Sequence, residues 1–168
     1  MTPFQRFKKE YFGKHVLIMG LGLQGRGVQD AEVFASIGAK VTVTDLKNEN
    51  QLASSLEKLR SYNIRYVLGK HEEEDFRRHD LVLRNADVPI ESPYLAIARQ
   101  EHIPIEMDES LFASFVTPEK LIGITGTRGK TTTTMLIYSL LSSFLPHILL
   151  GGNIKGIATL PLLPQVQE

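Results

Sequence analysis

The chain contains no cysteine. That removes a disulfide framework, a zinc–thiolate site and a cysteine nucleophile together, and it fits a reducing compartment such as the cytoplasm. Neither charge is in surplus, because 19 Lys and Arg face 19 Asp and Glu. A sequence-independent nucleic-acid binder carries a basic excess, so no nucleic-acid partner is expected. No long apolar run exists either. The greasiest stretch, residues 135–150, is interrupted by Ser139, Ser142, Ser143, Pro146 and His147, and it falls short of the about 20 apolar residues that cross a bilayer. The opening residues, MTPFQRFKKEYFGK, lack the apolar core of a signal peptide. The expectation is therefore a cytoplasmic protein that does not engage the membrane. The histidines at 15, 71, 79, 102 and 147 show no metal-ligand spacing. His71 and His79 sit among Glu72, Glu73, Glu74, Asp75, Arg77 and Arg78, which reads as a solvated mixed-charge face. No Ser/His/Asp arrangement, internal repeat or low-complexity segment is visible.

What the chain does have is the composition of an ordinary globular protein, with 168 residues, 42% of them hydrophobic and 23% charged. That length allows one domain, or one domain and part of another. Short β-branched runs alternate with longer amphipathic ones, the signature of βαβ units on a parallel sheet. Strands are expected at His15–Met19, Lys40–Thr44, Ile64–Leu68, Asp80–Leu83 and Ile103–Glu106. A helix over Gly25–Ile37 is ended by Gly38. Asn50 is the expected cap of a helix carrying Leu52, Leu56 and Leu59, and Ser92-Pro93 opens another that runs to about Glu101. The α/β fold class follows: a Rossmann-like parallel-sheet domain over residues 1–112. The pattern breaks at Ala113–Lys120. Residues 113–168 then read as a strand at Leu121–Thr125, a glycine loop, a helix from Thr131 to about Phe144 and a strand at His147–Leu150. This is the opening βαβ of a P-loop ATPase domain, incomplete because a single βαβ piece cannot bury its own faces.

Two constellations carry chemistry. Gly20-Leu21-Gly22-Leu23-Gln24-Gly25 lies directly after a strand and opens a helix. Its glycines permit a tight turn and close approach to a phosphate, and the helix N-terminus offers free N–H groups. Asp45 ends the second strand, 20 residues after Gly25, where it would accept hydrogen bonds from a ribose or a base edge. This half alone fits NAD as well as a UDP-linked sugar. The second constellation is Gly126-Thr127-Arg128-Gly129-Lys130-Thr131, again between a strand and a helix. Its backbone N–H groups would wrap phosphates, Lys130 would reach the β- and γ-oxygens, and the Thr131 hydroxyl would ligate Mg²⁺. The strict pattern GxxxxGK[ST] wants glycine at 124, where Ile124 stands. Thr131–Thr134 is a run of mediocre helix formers whose hydroxyls can cap the helix or touch phosphate.

A GxGxxG turn followed about 105 residues later by a TGTxGKT loop is far more specific than either alone. The chain resembles the Mur ligases of peptidoglycan synthesis. The matching segments are VLIMGLGLQGRG, TVTDL, IPIEMDESLF, IGITGTRGKTTTT and GGNIKG. The GLGLxG form favours the branch that adds D-glutamate to UDP-N-acetylmuramoyl-L-alanine. The resemblance implies that Gly22, Leu23, Gln24, Gly25, Asp45 and Leu46 hold the diphosphate and uracil of the UDP-sugar, with Asn153 near that substrate. It implies that Gly126, Thr127, Arg128, Gly129, Lys130, Thr131 and Thr132 hold ATP, that Lys130 stabilises the γ-phosphoryl group in flight and that Thr131 binds Mg²⁺. The implied reaction activates a substrate carboxylate as an acyl phosphate, which the amine of D-glutamate attacks. Two departures stand out. LVLRNADVPIESPYL has Ala86-Asp87 where the resemblance implies Pro-Gly. Only 37 residues follow Thr131, with no counterpart of the family's later metal-binding Glu and His, modified Lys or amino-acid-binding domain. Phosphoryl transfer needs a full clamp, so this chain alone is expected to be inactive. Two alternatives from other classes are a UDP-sugar or nucleotide-binding module, self-associating or completed by a partner through its exposed apolar faces, and an NAD-dependent oxidoreductase.

Overall fold

A computed structural model describes residues 1–152 and 157–167. Five parallel strands form one sheet: β1 (His15–Met19), β2 (Lys40–Asp45), β3 (Ile64–Leu68), β4 (Leu81–Arg84) and β5 (Ile105–Glu106), in the spatial order β3-β2-β1-β4-β5. Strand β1 is central. Its Val16, Leu17, Ile18 and Met19 are all at most 2% exposed, as a parallel strand covered on both faces requires. Val16 and Ile18 face one layer, and Leu17 and Met19 the other, which is the two-residue alternation of a strand. The first layer holds α1 (Pro3–Tyr11), α2 (Arg26–Ser36), α3 (Glu49–Leu59) and α6 (Asp108–Phe115). The second holds α4 (Asp75–Arg78) and α5 (Pro93–Gln100), contributing Phe76, Leu95 and Ala98.

Helix α1 falls within the opening segment that carries no signal-peptide core. Thr2 accepts a hydrogen bond from the Gln5 N–H at 3.2 Å while Gln5 Oε1 accepts from the Thr2 N–H at 3.0 Å, a reciprocal capping box. Its Phe7 is fully buried and packs on Phe34 and Phe115 at centroid distances of 5.1 and 5.4 Å. Helix α3 starts two residues earlier than expected. Its cap is Asn48, not Asn50, because Gln51 stands at the spacing that closes a second capping box. His79 is buried, not solvated. Its ring nitrogens lie 2.6 Å from the Asp75 carbonyl and 3.0 Å from Thr42 Oγ1, and burial lowers its pKa.

The second unit differs most from expectation. Helix α7 (Lys130–Ser142) forms. Leu121–Thr125 and His147–Leu150 flank it, but neither pairs as a strand among the described residues. A strand needs a neighbour's N–H and C=O row in hydrogen-bonding register, and no such ladder forms along either segment among the described residues. Accordingly α7 buries no residue, and Leu136, Leu140 and Phe144 are 65–75% exposed. Among the described residues, no helix is long and apolar enough to cross a membrane.

The chain then returns to the first unit. Ala158, Thr159, Leu160 and Leu163 are buried against α1, α2 and α6. Asp108 anchors this segment: its Oδ2 accepts from the Thr159 N–H at 2.7 Å, and its Oδ1 accepts from Thr159 Oγ1 at 2.7 Å and the Leu160 N–H at 2.8 Å. Arg26 donates to both Asp108 and Glu109, and Gln29 Oε1 accepts from the Ala158 N–H at 3.0 Å. Asp30 lies beside this cluster, with one carboxyl oxygen buried and unpartnered among the described residues. Burial, and then the nearby Asp108 charge, hold its pKa well above the usual carboxylate range; Arg26 offsets part of this.

Two predictions follow from the packing. Helix α2 lies so close to the end of β1 that a Cβ on Gly27 would sit 2.5 Å from the Leu21 carbonyl oxygen and 2.8 Å from that of Gly20. Gly27→Ala should therefore cost about 1–3 kcal/mol through overpacking, read as a lowered Tm. Asp30 favours its proton in the folded state, so its contribution is complete below about pH 4 and is lost as pH rises toward its raised pKa. Asp30→Asn cannot titrate, so the Tm difference between this variant and the wild type should widen in the variant's favour from about pH 4 to pH 8. A pH-independent difference would contradict the assignment.

Candidate functional site

The sheet order places a topological switch point between β1 and β4, whose carboxyl ends bound the crevice where open α/β sheets take ligands. Three loops meet there: residues 20–25 after β1, residues 85–92 after β4, and Asp45-Leu46 at the end of β2. The glycine turn opens α2. Gly25 is the N-cap at φ +90°, a left-handed conformation that side chains with a Cβ rarely adopt, and no side chain caps the helix. A helix start without a side-chain cap is one that a ligand or water can serve.

Asp45 is 4% exposed. Its Oδ2 accepts from the Gly22 N–H at 3.0 Å and its Oδ1 from the Lys47 N–H at 2.8 Å. The carboxylate thus shapes the glycine turn from beneath, and is not an exposed turn acid. Ser55 Oγ donates to the Gly22 carbonyl at 3.0 Å, holding the same residue from α3. Leu23, Gln24 and Leu46 are exposed around this rigid base, and Gly22 and Gly25 are half-buried. The structure therefore brings Gly22, Leu23, Gln24, Gly25, Asp45 and Leu46 to one end of the sheet. Asn153 lies outside the described residues.

Sequence reasoning missed several residues here. Asn85 Nδ2 donates to the Gly20 carbonyl at 3.2 Å, and its Cβ lies 3.1 Å from where a Gly20 Cβ would be. The departure at Ala86-Asp87 is accommodated by a turn in which the Val88 N–H donates to the Asn85 carbonyl at 3.0 Å. His71 Nδ1 lies 2.7 Å from Thr44 Oγ1, next to Asp45, and its ring packs on Tyr94 at 4.9 Å. Burial lowers its pKa, against the pull of the Asp45 charge. Only Gly27 left a signal that could have been read, as a further glycine two residues past the motif.

The second loop lies at the start of α7. Gly129 is its N-cap at φ +77°, and Lys130 Nζ donates to the Gly126 carbonyl at 2.5 Å, closing the loop on itself. Thr134 Oγ1 donates back to the Lys130 carbonyl at 2.8 Å. Thr127, Arg128, Thr131 and Thr132 are exposed. These residues fit a phosphate group: uncapped N–H groups of a 13-residue helix, with a lysine ammonium at the loop mouth. No group of three or more His, Asp or Glu among the described residues could hold a metal ion. An apolar cleft of about 790 Å³ runs from Lys130 and Thr131 past Ile122 and Leu149 to Phe112 and Leu162.

Comparison with known proteins bears on the family. Residues 14–106 match the family model described as Mur ligase MurD-like, N-terminal domain. The chain is 44% identical over 154 residues to the UDP-N-acetylmuramoylalanine–D-glutamate ligase of Roseiflexus sp. (strain RS-1), covering 92% of this chain and 33% of that protein. It is 43% identical over 158 residues to the enzyme of that name from Geobacter metallireducens, covering 94% and 33%. The chain thus spans about a third of the length of the curated relatives it matches. Among solved structures, a pseudomurein peptide ligase type C from Methanothermus fervidus shares the fold at a TM-score of 0.50 and 23% identity, covering 77% of this chain and 26% of that one. With a switch-point glycine turn braced by Asp45, and a family model matching more than half its length, this chain belongs to the Mur ligase family through a MurD-like N-terminal domain.

Proposed function

We propose that residues 1–112 form a UDP-substrate domain that binds UDP-N-acetylmuramoyl-L-alanine, and that residues 113–168 open an ATP-binding domain of a D-glutamate-adding ligase. The observation that carries the reading is the glycine turn at the switch point, braced by Asp45 and Ser55 and opening the uncapped α2. Such a turn suits a diphosphate, which it would hold by N–H groups rather than by a basic field. Leu23, Gln24, Asp45, Leu46 and Asn153 would bound the nucleoside and sugar.

At the second loop, Gly126–Thr132 would wrap the triphosphate of ATP. Magnesium, when bound, neutralises phosphate charge. Lys130 would leave the Gly126 carbonyl and follow the γ-phosphoryl group as it moves to the substrate carboxylate. The reaction proposed forms an acyl phosphate and ADP, after which the amine of D-glutamate displaces phosphate to leave an amide. Lys130 and Thr131 are one side of such a clamp, so this chain by itself is proposed to bind and not to turn over.

Calorimetry tests this. UDP-N-acetylmuramoyl-L-alanine should bind, ATP with magnesium should bind more weakly, and Lys130→Ala should remove the ATP heat while leaving the UDP-substrate heat unchanged. Heat from NADH with none from the UDP-substrate would overturn the reading, and D-glutamate-dependent ADP release would overturn the inactivity. The exposed apolar side of α7 also favours a module completed by another chain. Light scattering should then show a mass above that of the monomer.

A further inference from the structure

The loop after β4 raises a question that the UDP-substrate reading leaves open. Its tip, Ala86 and Asp87, is exposed. Neither residue restricts the backbone as proline would, yet this loop forms one wall of the switch-point crevice. We propose that Arg84 is a positioning residue for that crevice, its guanidinium clamping the 85–88 turn against the glycine turn. The inference rests on the UDP-substrate reading of the same site.

Arg84 is the last residue of β4 and half-buried. Its Nη1 donates to the Val88 carbonyl at 3.1 Å, at the exit of the turn. Its Nη2 reaches Met107 Sδ at 3.0 Å, at the entry to α6. The planar fork therefore ties the loop to a second element of the first unit, which a lysine ammonium cannot reproduce in the same geometry. Within the turn, Asn85 Oδ1 accepts from the Asp87 N–H at 3.4 Å and the Asn85 carbonyl accepts from the Val88 N–H at 3.0 Å, an Asx-type turn. The clamped loop presses on the phosphate-binding side. Val88 Cγ2 lies 3.3 Å and Asn85 Cβ 3.1 Å from where a Gly20 Cβ would stand, and Asn85 Nδ2 holds the Gly20 carbonyl. The peptide after Gly20 leads directly into the N–H groups that a diphosphate would meet. Arg84 thus supplies by side-chain hydrogen bonds the stiffness that a proline would supply by restricting φ.

The test uses the full chain, with UDP as ligand and amide exchange by NMR as a ligand-free readout. Arg84→Ala should weaken UDP about tenfold, the loss of one charge-assisted hydrogen bond. It should also speed exchange at the Val88 amide while leaving the Leu17 amide in β1 protected. Arg84→Lys should behave like Arg84→Ala. Adding Ala86→Pro to Arg84→Ala pre-sets the turn and should restore both UDP affinity and Val88 protection. Unchanged Val88 exchange in Arg84→Ala overturns the clamp. So does a double variant that regains protection but not affinity, because Arg84 would then be touching the ligand itself. Should the wild-type chain give no UDP heat, the UDP-substrate reading fails, while the exchange comparison still decides whether Arg84 clamps the loop.

Discussion

Everything in this molecule depends on β1 being hydrogen-bonded on both edges and buried on both faces. Its neighbours β2 and β4 pair with it in parallel register along almost its whole length. Parallel pairing forces each connection to cross the sheet as a helix, and the alternation of Val16 and Ile18 with Leu17 and Met19 demands a layer on each side. The same placement makes the end of β1 the point where the strand order diverges. The glycine turn is therefore at the switch point as a consequence of topology, and its chemistry follows from there.

The buried polar groups of the first unit work for that turn and for its tether. Asp45 and Ser55 brace Gly22 from two elements. At the first turn of α2, Arg26 and Gln29 reach Asp108 and the segment that follows α7. Asp108 alone accepts three hydrogen bonds from Thr159 and Leu160. A carboxylate so fully engaged stays compatible with burial, whereas Asp30, with an unpartnered oxygen, has its pKa raised by burial. The helix that opens at the glycine turn is thereby joined, within one layer, to the tether between the two units.

Much of this was legible in the sequence. All five strands, the glycine turn and the phosphate loop were found where the β-branched runs and the Gly-Lys-Thr pattern put them. Helix α1 was overlooked although Thr2-Pro3-Phe4-Gln5 spells a capping box, because nine residues of mixed charge around Phe4, Phe7 and Tyr11 look polar until Phe34 and Phe115 cover one side. His79 looked solvated because its sequence neighbours are charged. Only the fold shows that it turns under the sheet to Thr42. Leu121–Thr125 read as a strand by composition, but composition cannot provide the neighbouring strand that a ladder requires.

By itself the sequence determined the fold class, the positions of the two glycine loops and the family, because these rest on local periodicity and on short spacings along one segment of chain. Tertiary structure alone decided what Asp45 does, which residues wall the crevice and how the end of the described chain is held. Those outcomes depend on contacts between positions 23 to 129 residues apart, where hydrogen bonds and burial are set by the packing of layers and leave no periodic mark on the sequence.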